Sequence, residues 1–362
     1  MQVQSQIKQS KRPFLIAGPC SAESPEQLLL LANQLKQRNV SILRAGIWKP
    51  RTRPGSFEGL GEVALPWLME ASEESGLPVA IEVANADHVE KALKAGVDVL
   101  WIGARSTVNP FTVQEIADSL RGVRIPVMVK NPVNPDLNLW IGAFERLENA
   151  GINDLVAVHR GFSVYAHPKY RNVPSWEIPL ALREKLPELP MLCDPSHIGG
   201  KRNLLLEIAQ KGMDLNMDGL MVEVHPTPDF ALSDAEQQIT PDDFSLLISK
   251  LVLRSSNVSL SALAQLEQFR DKTSEMDDTI FDILKKRMQV SNELGRFKKE
   301  NAITVFQQER WIKIISERMG KAADYDLSPI FVRQIMDAIH QESIRHQTRV
   351  MNDLLSNDPS ID

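Results

Sequence analysis

The chain has 362 residues, 43% of them hydrophobic and 24% charged, with a formal net charge of −6. Its length exceeds an ordinary single domain and its composition is that of a globular protein, so two folded domains are expected. No run of about 18 apolar residues occurs, which argues against a membrane-spanning helix, and the acidic balance argues against nucleic acid as the principal partner.

Residues 1–12 are polar and basic and lack the apolar core of a signal peptide. Cys20 and Cys193 are the only cysteines, too few for a disulfide scaffold. A ligand thiolate needs a reducing compartment, so the expected location is the cytoplasm.

Extended segments recur along residues 13–226, with helical apolar spacing between most of them, as in Leu28, Leu31 and Leu35. They read FLIAGPC (14–20), ILRAGIW (42–48), PVAIEV (78–83), VLWIGA (99–104), PVMVK (126–130), LVAVHRG (155–161), MLCDPSH (191–197) and GLMVEVH (219–225). Strand and helix alternating eight times within about 250 residues predicts a (β/α)8 TIM barrel. An open doubly wound sheet is the rival, but no Gly-x-Gly-x-x-Gly turn follows the first segment.

In such barrels the chemistry sits where strands end. Cys20 follows the first segment, His197 ends the seventh, and Glu223 lies on the eighth with Asp234 beyond it. The first, seventh and eighth strands of a closed barrel are neighbours. A thiolate, an imidazole and two carboxylates converging at its mouth describe a divalent metal site, open to manganese, iron, cobalt or zinc. The remaining strand ends carry cations: Arg44, Lys49, Arg51 and Arg53 around the second, then Arg105, Lys130 and Arg160. An acidic protein that gathers its cations on one face is suited to small phosphorylated or carboxylated substrates. Taken singly, a strand cysteine is more often a small buried hydrophobe, as Cys193 is expected to be, and a strand-end Lys or Arg is more often solvated. The joint pattern carries the reading.

The segments AGPCS (17–21), RAGIWKPRT (44–52), IGAR (102–105), DPSH (194–197), VEVHP (222–226) and ALSD (231–234) resemble the 3-deoxy-D-arabino-heptulosonate 7-phosphate synthases. The resemblance spans about residues 11–254 and is closest to the compact subgroup related to the sugar-acid 8-phosphate synthases. It implies condensation of phosphoenolpyruvate with erythrose 4-phosphate, with release of phosphate. It makes Cys20, His197, Glu223 and Asp234 the ligands of one divalent ion. Arg44, Lys49, Arg105, Lys130 and Arg160 would hold phosphoenolpyruvate, Arg51 and Thr52 the aldose phosphate, and Lys49 would be the proton donor. Arg53 and His159 depart from the family pattern, which often has a small hydroxyl residue and an acid at these positions. The rival substrate is arabinose 5-phosphate.

Residues 239–254 read as the last barrel helix, with Thr240 as N-cap and Pro241 at its first position. The polar stretch 255–259 is the expected linker between a barrel domain, 1–254, and a helical domain, 260–362. From 260 to 300 a heptad seam runs through Leu266, Phe269, Thr273, Met276, Ile280, Ile283, Arg287, Val290, Leu294 and Phe297, so this helix should pack against another. Helices are expected near 305–319 and from Ser328 to about 355. At about 1.5 Å per residue, Arg270 and Arg287 lie roughly 25 Å apart. Both can serve one small anion only if a second chain brings its own Arg270 alongside, which predicts a homodimer.

Arg270, Arg287, Lys298, Arg310, Ser343 and Gln347 resemble, in order, the pattern of the all-helical chorismate mutases over about residues 260–354. The resemblance implies isomerisation of chorismate to prephenate without a cofactor. Arginines would clamp the two carboxylates while Lys298 and Gln347 hydrogen-bond the ether oxygen. Gln307 and Trp311 stand where some relatives carry acids, with Gln307 placed at the ring hydroxyl. A chain joining both activities would let the helical domain's ligand inhibit the barrel. The competing reading makes that domain a non-catalytic prephenate sensor and dimerisation module.

Overall fold

The computed structural model describes residues 2–9, 13–49, 55, 57–165, 169–254 and 260–352. It divides into two compact units, Met1–Arg254 and Ser255–Asp362. No described helix is long and apolar enough to cross a membrane. The expected linker, 255–259, lies outside the described residues.

In the first unit β1 (Phe14–Gly18), β2 (Ile42–Arg44), β3 (Val79–Val83), β4 (Val99–Ile102), β5 (Val127–Lys130), β6 (Leu155–His159), β7 (Met191–Cys193) and β8 (Gly219–Glu223) form a closed barrel. Every neighbouring pair is parallel, and β8 returns to β1 with Gly18 opposite Glu223. Each strand is shorter than the segment read from sequence. The chain leaves the ladder where it must turn toward the mouth: Ala104–Thr107 coils into a helical turn, and DPSH becomes the short helix Pro195–Gly199. His197 therefore sits on a helix rather than at a strand end. Gly18 adopts φ 152°, and a Cβ there would fall 2.0 Å from the Arg44 carbonyl oxygen, so only glycine lets the chain leave β1 toward Cys20.

Alternation along each strand fixes two layers. Phe14, Ile16, Ile42, Ala80, Val99, Trp101, Met128, Val156, Val158, Leu192 and Met221 pack inside the barrel. The opposite phase, including Leu15, Leu43, Ile81, Leu100 and Cys193, packs under the helices. The helix Val3–Gln9 closes one end, with Val3 and Ile7 buried in the inner cluster. The Asp154 carboxylate accepts from the N–H groups of Val3 at 2.7 Å and Gln4 at 2.8 Å, capping that helix. The last helix of the unit is Pro241–Ser249, where Thr240 Oγ1 accepts from the Asp243 N–H as expected.

The second unit contains a long helix, Leu260–Glu300, a middle helix, Gln308–Gly320, and a last helix, Pro329–Met351 capped by Ser328. The middle helix starts later than the sequence pattern indicated, because Gln307 is extended and serves as its N-cap. The long helix turns Leu284, Arg287, Ser291, Gly295 and Lys298 inward. At Gly295 a Cβ would stand 3.0 Å from Gln347 Cα, so the two helices approach backbone to backbone there. Most of the apolar seam faces away from the chain: Phe269, Met276, Ile280, Ile283, Val290 and Phe297 are each more than half exposed. Among the described residues of this unit, the apolar members of the seam thus have no partner helix, whereas its Arg287 meets Ser343 of the last helix.

Candidate active sites

Above the apolar interior of the barrel, the next inward position on nearly every strand is charged. Arg44, Glu82, Lys130, Arg160, Asp194 and Glu223 occupy that layer, and Cys20 continues the inward phase of β1. All of these except Glu82 are buried. Strand alternation therefore makes this polar layer, with the helices and loops beyond the strands adding to it.

One side of the layer is cationic. The Arg44 guanidinium lies over the Trp101 ring at 5.0 Å, and Lys130 Nζ approaches the same ring at 5.7 Å. The Trp101 indole N–H donates to Glu82 Oε2 at 3.2 Å. Arg160 donates to Asn172 Oδ1 at 2.7 Å. Burial pulls Lys130 below the ordinary lysine range and Arg160 down to about 10; Asp194 opposes both shifts, and Arg171 and Arg105 reinforce that of Arg160. Arg44 Nε and Nη1 are buried with no hydrogen-bond partner. A buried guanidinium left so incompletely paired suits an anionic ligand. Arg105 is exposed in the turn after β4.

The other side holds donor atoms for a metal. Cys20 Sγ, a Glu223 oxygen and an Asp234 oxygen all lie within 4.8 Å of one another. Cys20 Sγ is 3.4 Å from Asp234 Oδ2, and Asp234 adopts the left-handed φ of 48°. His197 stands just outside this triple, its Nε2 3.6 Å from Glu223 Oε1. Its Nδ1 is 2.7 Å from Asp194 Oδ2, which leaves Nε2 to face the donors, and burial lowers its pKa, which favours the neutral ring a metal would need. Burial and then the Glu223 carboxylate push the Cys20 thiol up to about 12. Burial also opposes ionisation of Asp234, but Arg171, His197 and Lys49 outweigh it and hold that carboxyl well below its usual range. A thiol and two carboxylates drawn together out of water fit a divalent cation, which would also deprotonate the sulfur.

Lys49 joins the two sides: its Nζ donates to Cys20 O at 2.7 Å and contacts Cys20 Sγ at 2.8 Å. The Arg44–Glu223 pair, at 3.1 Å, does the same. Arg51, Thr52 and Arg53 lie outside the described residues. Sequence reasoning missed Glu82, Trp101 and Asp194, all of which share the inward parity of their strands and were legible on that ground. It also missed Arg171, 3.2 Å from Asp234, and Gln237, which donates to Glu223 Oε2 at 2.5 Å. Those two come from loops and carry no periodic signal.

In the second unit Arg287 donates to Ser343 Oγ at 2.6 Å, and Ser291 Oγ lies 2.8 Å from that hydroxyl. Lys298 is buried and donates to the Val305 carbonyl at 2.6 Å. Gln347 donates to Ser343 O at 3.3 Å, while its own Oε1 is buried and unpartnered. Burial lowers the pKa of both Arg287 and Lys298. Arg270 is exposed and paired with Glu267, and Gln307 and Arg310 are exposed. Among the described residues, none of these three is hydrogen-bonded to Arg287, Lys298 or Gln347. His340, which sequence reasoning passed over, lies on the last helix three residues before Ser343.

Residues 2–255 match the DAHP synthetase I family, and residues 269–348 match chorismate mutase type II. A phospho-2-dehydro-3-deoxyheptonate aldolase of Thermotoga maritima is 33% identical over 237 residues, covering 66% of this chain and 68% of that protein. A 2-dehydro-3-deoxyphosphooctonate aldolase of Rhodopseudomonas palustris is 26% identical, covering 66% of this chain and 86% of its own. The crystal structure of a Thermotoga maritima DAHP synthase superposes with a TM-score of 0.59 at 32% identity, over 66% of this chain and 68% of that one. The chain belongs to the DAHP synthetase I family and continues into a domain of the chorismate mutase type II family.

Proposed function

We propose that the barrel condenses phosphoenolpyruvate with erythrose 4-phosphate and that the helical domain converts chorismate to prephenate, each through the residues assembled above. The observation carrying the first half is the buried cation group Arg44, Lys130 and Arg160 facing Cys20, Glu223 and Asp234 across the mouth. Phosphoenolpyruvate carries a carboxylate and a phosphate, and these cations, with Arg105, are suited to both. The unpartnered nitrogens of Arg44 would gain their acceptors from it. Arg51 and Thr52 are assigned to the phosphate of the aldose.

Cys20, His197, Glu223 and Asp234 would hold one divalent ion, with manganese, iron, cobalt and zinc all compatible with the donor set. Such an ion supplies Lewis acidity toward the aldehyde oxygen. Burial opposes the charge on Lys49, but Cys20 and Glu223 outweigh it and raise its pKa, which favours the protonated form. As C3 of phosphoenolpyruvate bonds to the aldehyde carbon, Lys49 delivers a proton to the nascent alkoxide. Water adds at C2, one of its protons restoring Lys49; the bond from C2 to the phosphate oxygen then breaks, the other proton leaves with inorganic phosphate among the arginines, and C2 becomes a ketone. Arabinose 5-phosphate is the rival aldose, but the higher identity to the heptonate enzyme and the attached mutase domain favour the four-carbon sugar.

In the helical domain Arg287 would bind a chorismate carboxylate, Ser343 would position it, and Lys298 and Gln347 would stabilise charge developing on the ether oxygen. The exposed seam supports a homodimer in which the partner chain supplies its own Arg270 and the middle helix supplies Arg310. The domain's ligand would also act on the barrel as a feedback inhibitor. A thiol in the metal set suits a reducing compartment such as the cytosol.

Phosphate release with each sugar, and loss of chorismate absorbance, test both halves on one preparation. The reading predicts preference for erythrose 4-phosphate, turnover of chorismate, and inhibition of phosphate release by prephenate. Preference for the pentose would replace the substrate. Binding of prephenate without chorismate turnover would reduce the helical domain to a sensor.

A further inference from the structure

His340, Ser343 and Gln347 lie three and four residues apart on the last helix, so they share one face. That face meets the long helix through the Arg287–Ser343 hydrogen bond. The His340 ring lies flat on Trp311, with centroids 3.8 Å apart and planes 8° from parallel, and meets Phe306 at 5.8 Å and 55°. His340 Nε2 is shielded from solvent and makes no hydrogen bond, a condition it shares with Gln347 Oε1 on the same face. A buried polar atom left unpaired is unfavourable unless a ligand or an ordered water completes it.

The charged groups acting on the imidazole are Arg287 and Lys298 from the long helix and Asp337 from its own helix. The middle helix and the segment before it present Trp311 and Phe306 to the ring. Burial foremost, and then Arg287, lower its pKa against the opposing Asp337, so the ring is neutral near pH 7. A neutral imidazole among cations is poorly suited to a carboxylate, which the cations already attract. It is well suited to a hydroxyl, toward which it can donate or accept.

We propose that His340 is a specificity-determining residue of the mutase site, with Nε2 accepting a hydrogen bond from the ring hydroxyl of chorismate. The inference rests on the mutase reading above. The carboxylates and ether oxygen go to arginine and lysine, which leaves the hydroxyl as the remaining polar group. Gln307, placed at that hydroxyl by the family pattern, is exposed, its carbonyl accepts from the Trp311 N–H at 3.1 Å, and among the described residues its side chain makes no hydrogen bond to His340, Ser343 or Gln347.

The test is the pH profile of kcat/KM for chorismate in full-length wild type, His340→Leu and His340→Gln, with circular dichroism to establish that each is folded. Wild type should lose kcat/KM as the pH falls below the ordinary imidazole range, because protonated Nε2 can no longer accept from the hydroxyl and that ratio reports the free enzyme. Leucine should lower kcat/KM by about tenfold or more, the scale of one lost hydrogen bond in a desolvated site. Glutamine should recover most of the loss and show no acid limb. Leucine behaving like wild type, or an acid limb that persists in the glutamine variant, would overturn the assignment. A wild type that does not turn over chorismate would remove the mutase reading itself, and this one with it.

Discussion

Asp194 organises both sides of the barrel mouth. One carboxylate oxygen accepts from the His197 backbone N–H at 3.0 Å, and the other lies 2.7 Å from His197 Nδ1 and 2.8 Å from Lys130 Nζ. Asn at this position can keep the helix cap but loses the charge that orients the imidazole and pairs the lysine. Asp194→Asn should weaken metal binding by about 10–100-fold, the usual effect of losing such an outer partner. Titrating metal back into chelator-treated protein while following phosphate release measures this. Equal affinity in the variant would remove Asp194 from the site.

His159 has a different role. It is fully buried beside Trp176 and Phe162, on the opposite strand phase to Arg160, and burial followed by Arg160 pushes its pKa down to about 3. The unfolded chain binds this proton near pH 6.5 and the folded chain does not, so the stabilisation from a neutral His159 is complete above about 6.5 and is lost as pH falls toward the folded value. The slope approaches about 1.4 kcal/mol per pH unit for one such group. His159→Phe should flatten the acid side of a melting-temperature profile between about pH 6 and 4, before the paired carboxylates begin to protonate. An unchanged slope would contradict it. The charges at strand ends were legible in the sequence because parity repeats every two residues. Arg171 and Gln237 were not, because loop geometry sets their approach to Asp234 and Glu223.

At the scale of elements, the sequence indicated all eight strands and the ends of β3 and β5, but placed the ends of the other six too far along. VLWIGA and MLCDPSH remain aliphatic or compact past the point where the chain leaves the ladder, and hydropathy does not register where hydrogen bonding stops. The helix Val3–Gln9 was not foreseen, since its apolar content within the basic leader is only Val3 and Ile7. Its position depends on Asp154, a long-range cap that no local pattern encodes. Asp154→Ala should destabilise the barrel by about 1 kcal/mol, within the 0.5–2 kcal/mol typical of lost caps. Urea titration followed by tryptophan fluorescence reads this directly. A midpoint equal to wild type would mean that the helix is held by Val3 and Ile7 alone.

At the scale of the whole molecule, the chain joins a domain dominated by long-range strand pairing to one made of three helices. The heptad seam was legible as a stripe, yet its apolar members are exposed, and the face that packs within the unit is a polar one in which the seam's Arg287 joins Ser291 and Lys298. The stripe remains exposed, so a second chain is its natural cover. Ile280→Asp with Ile283→Asp should convert the protein from dimer to monomer in sedimentation velocity. It should also reduce chorismate turnover on the order of a hundredfold, because a buried charge partner is withdrawn with the second chain. A wild type that sediments as a monomer would contradict the dimer.

The central claim is that one divalent ion sits among Cys20, His197, Glu223 and Asp234, facing the arginines and lysines of the opposite strands. Anomalous diffraction from crystals of active, manganese-loaded protein tests it most directly. The account predicts a single strong peak within coordination distance of Cys20 Sγ, His197 Nε2 and both carboxylates, lost with activity after chelation. Full activity after chelation, or a peak elsewhere in the barrel, would contradict it.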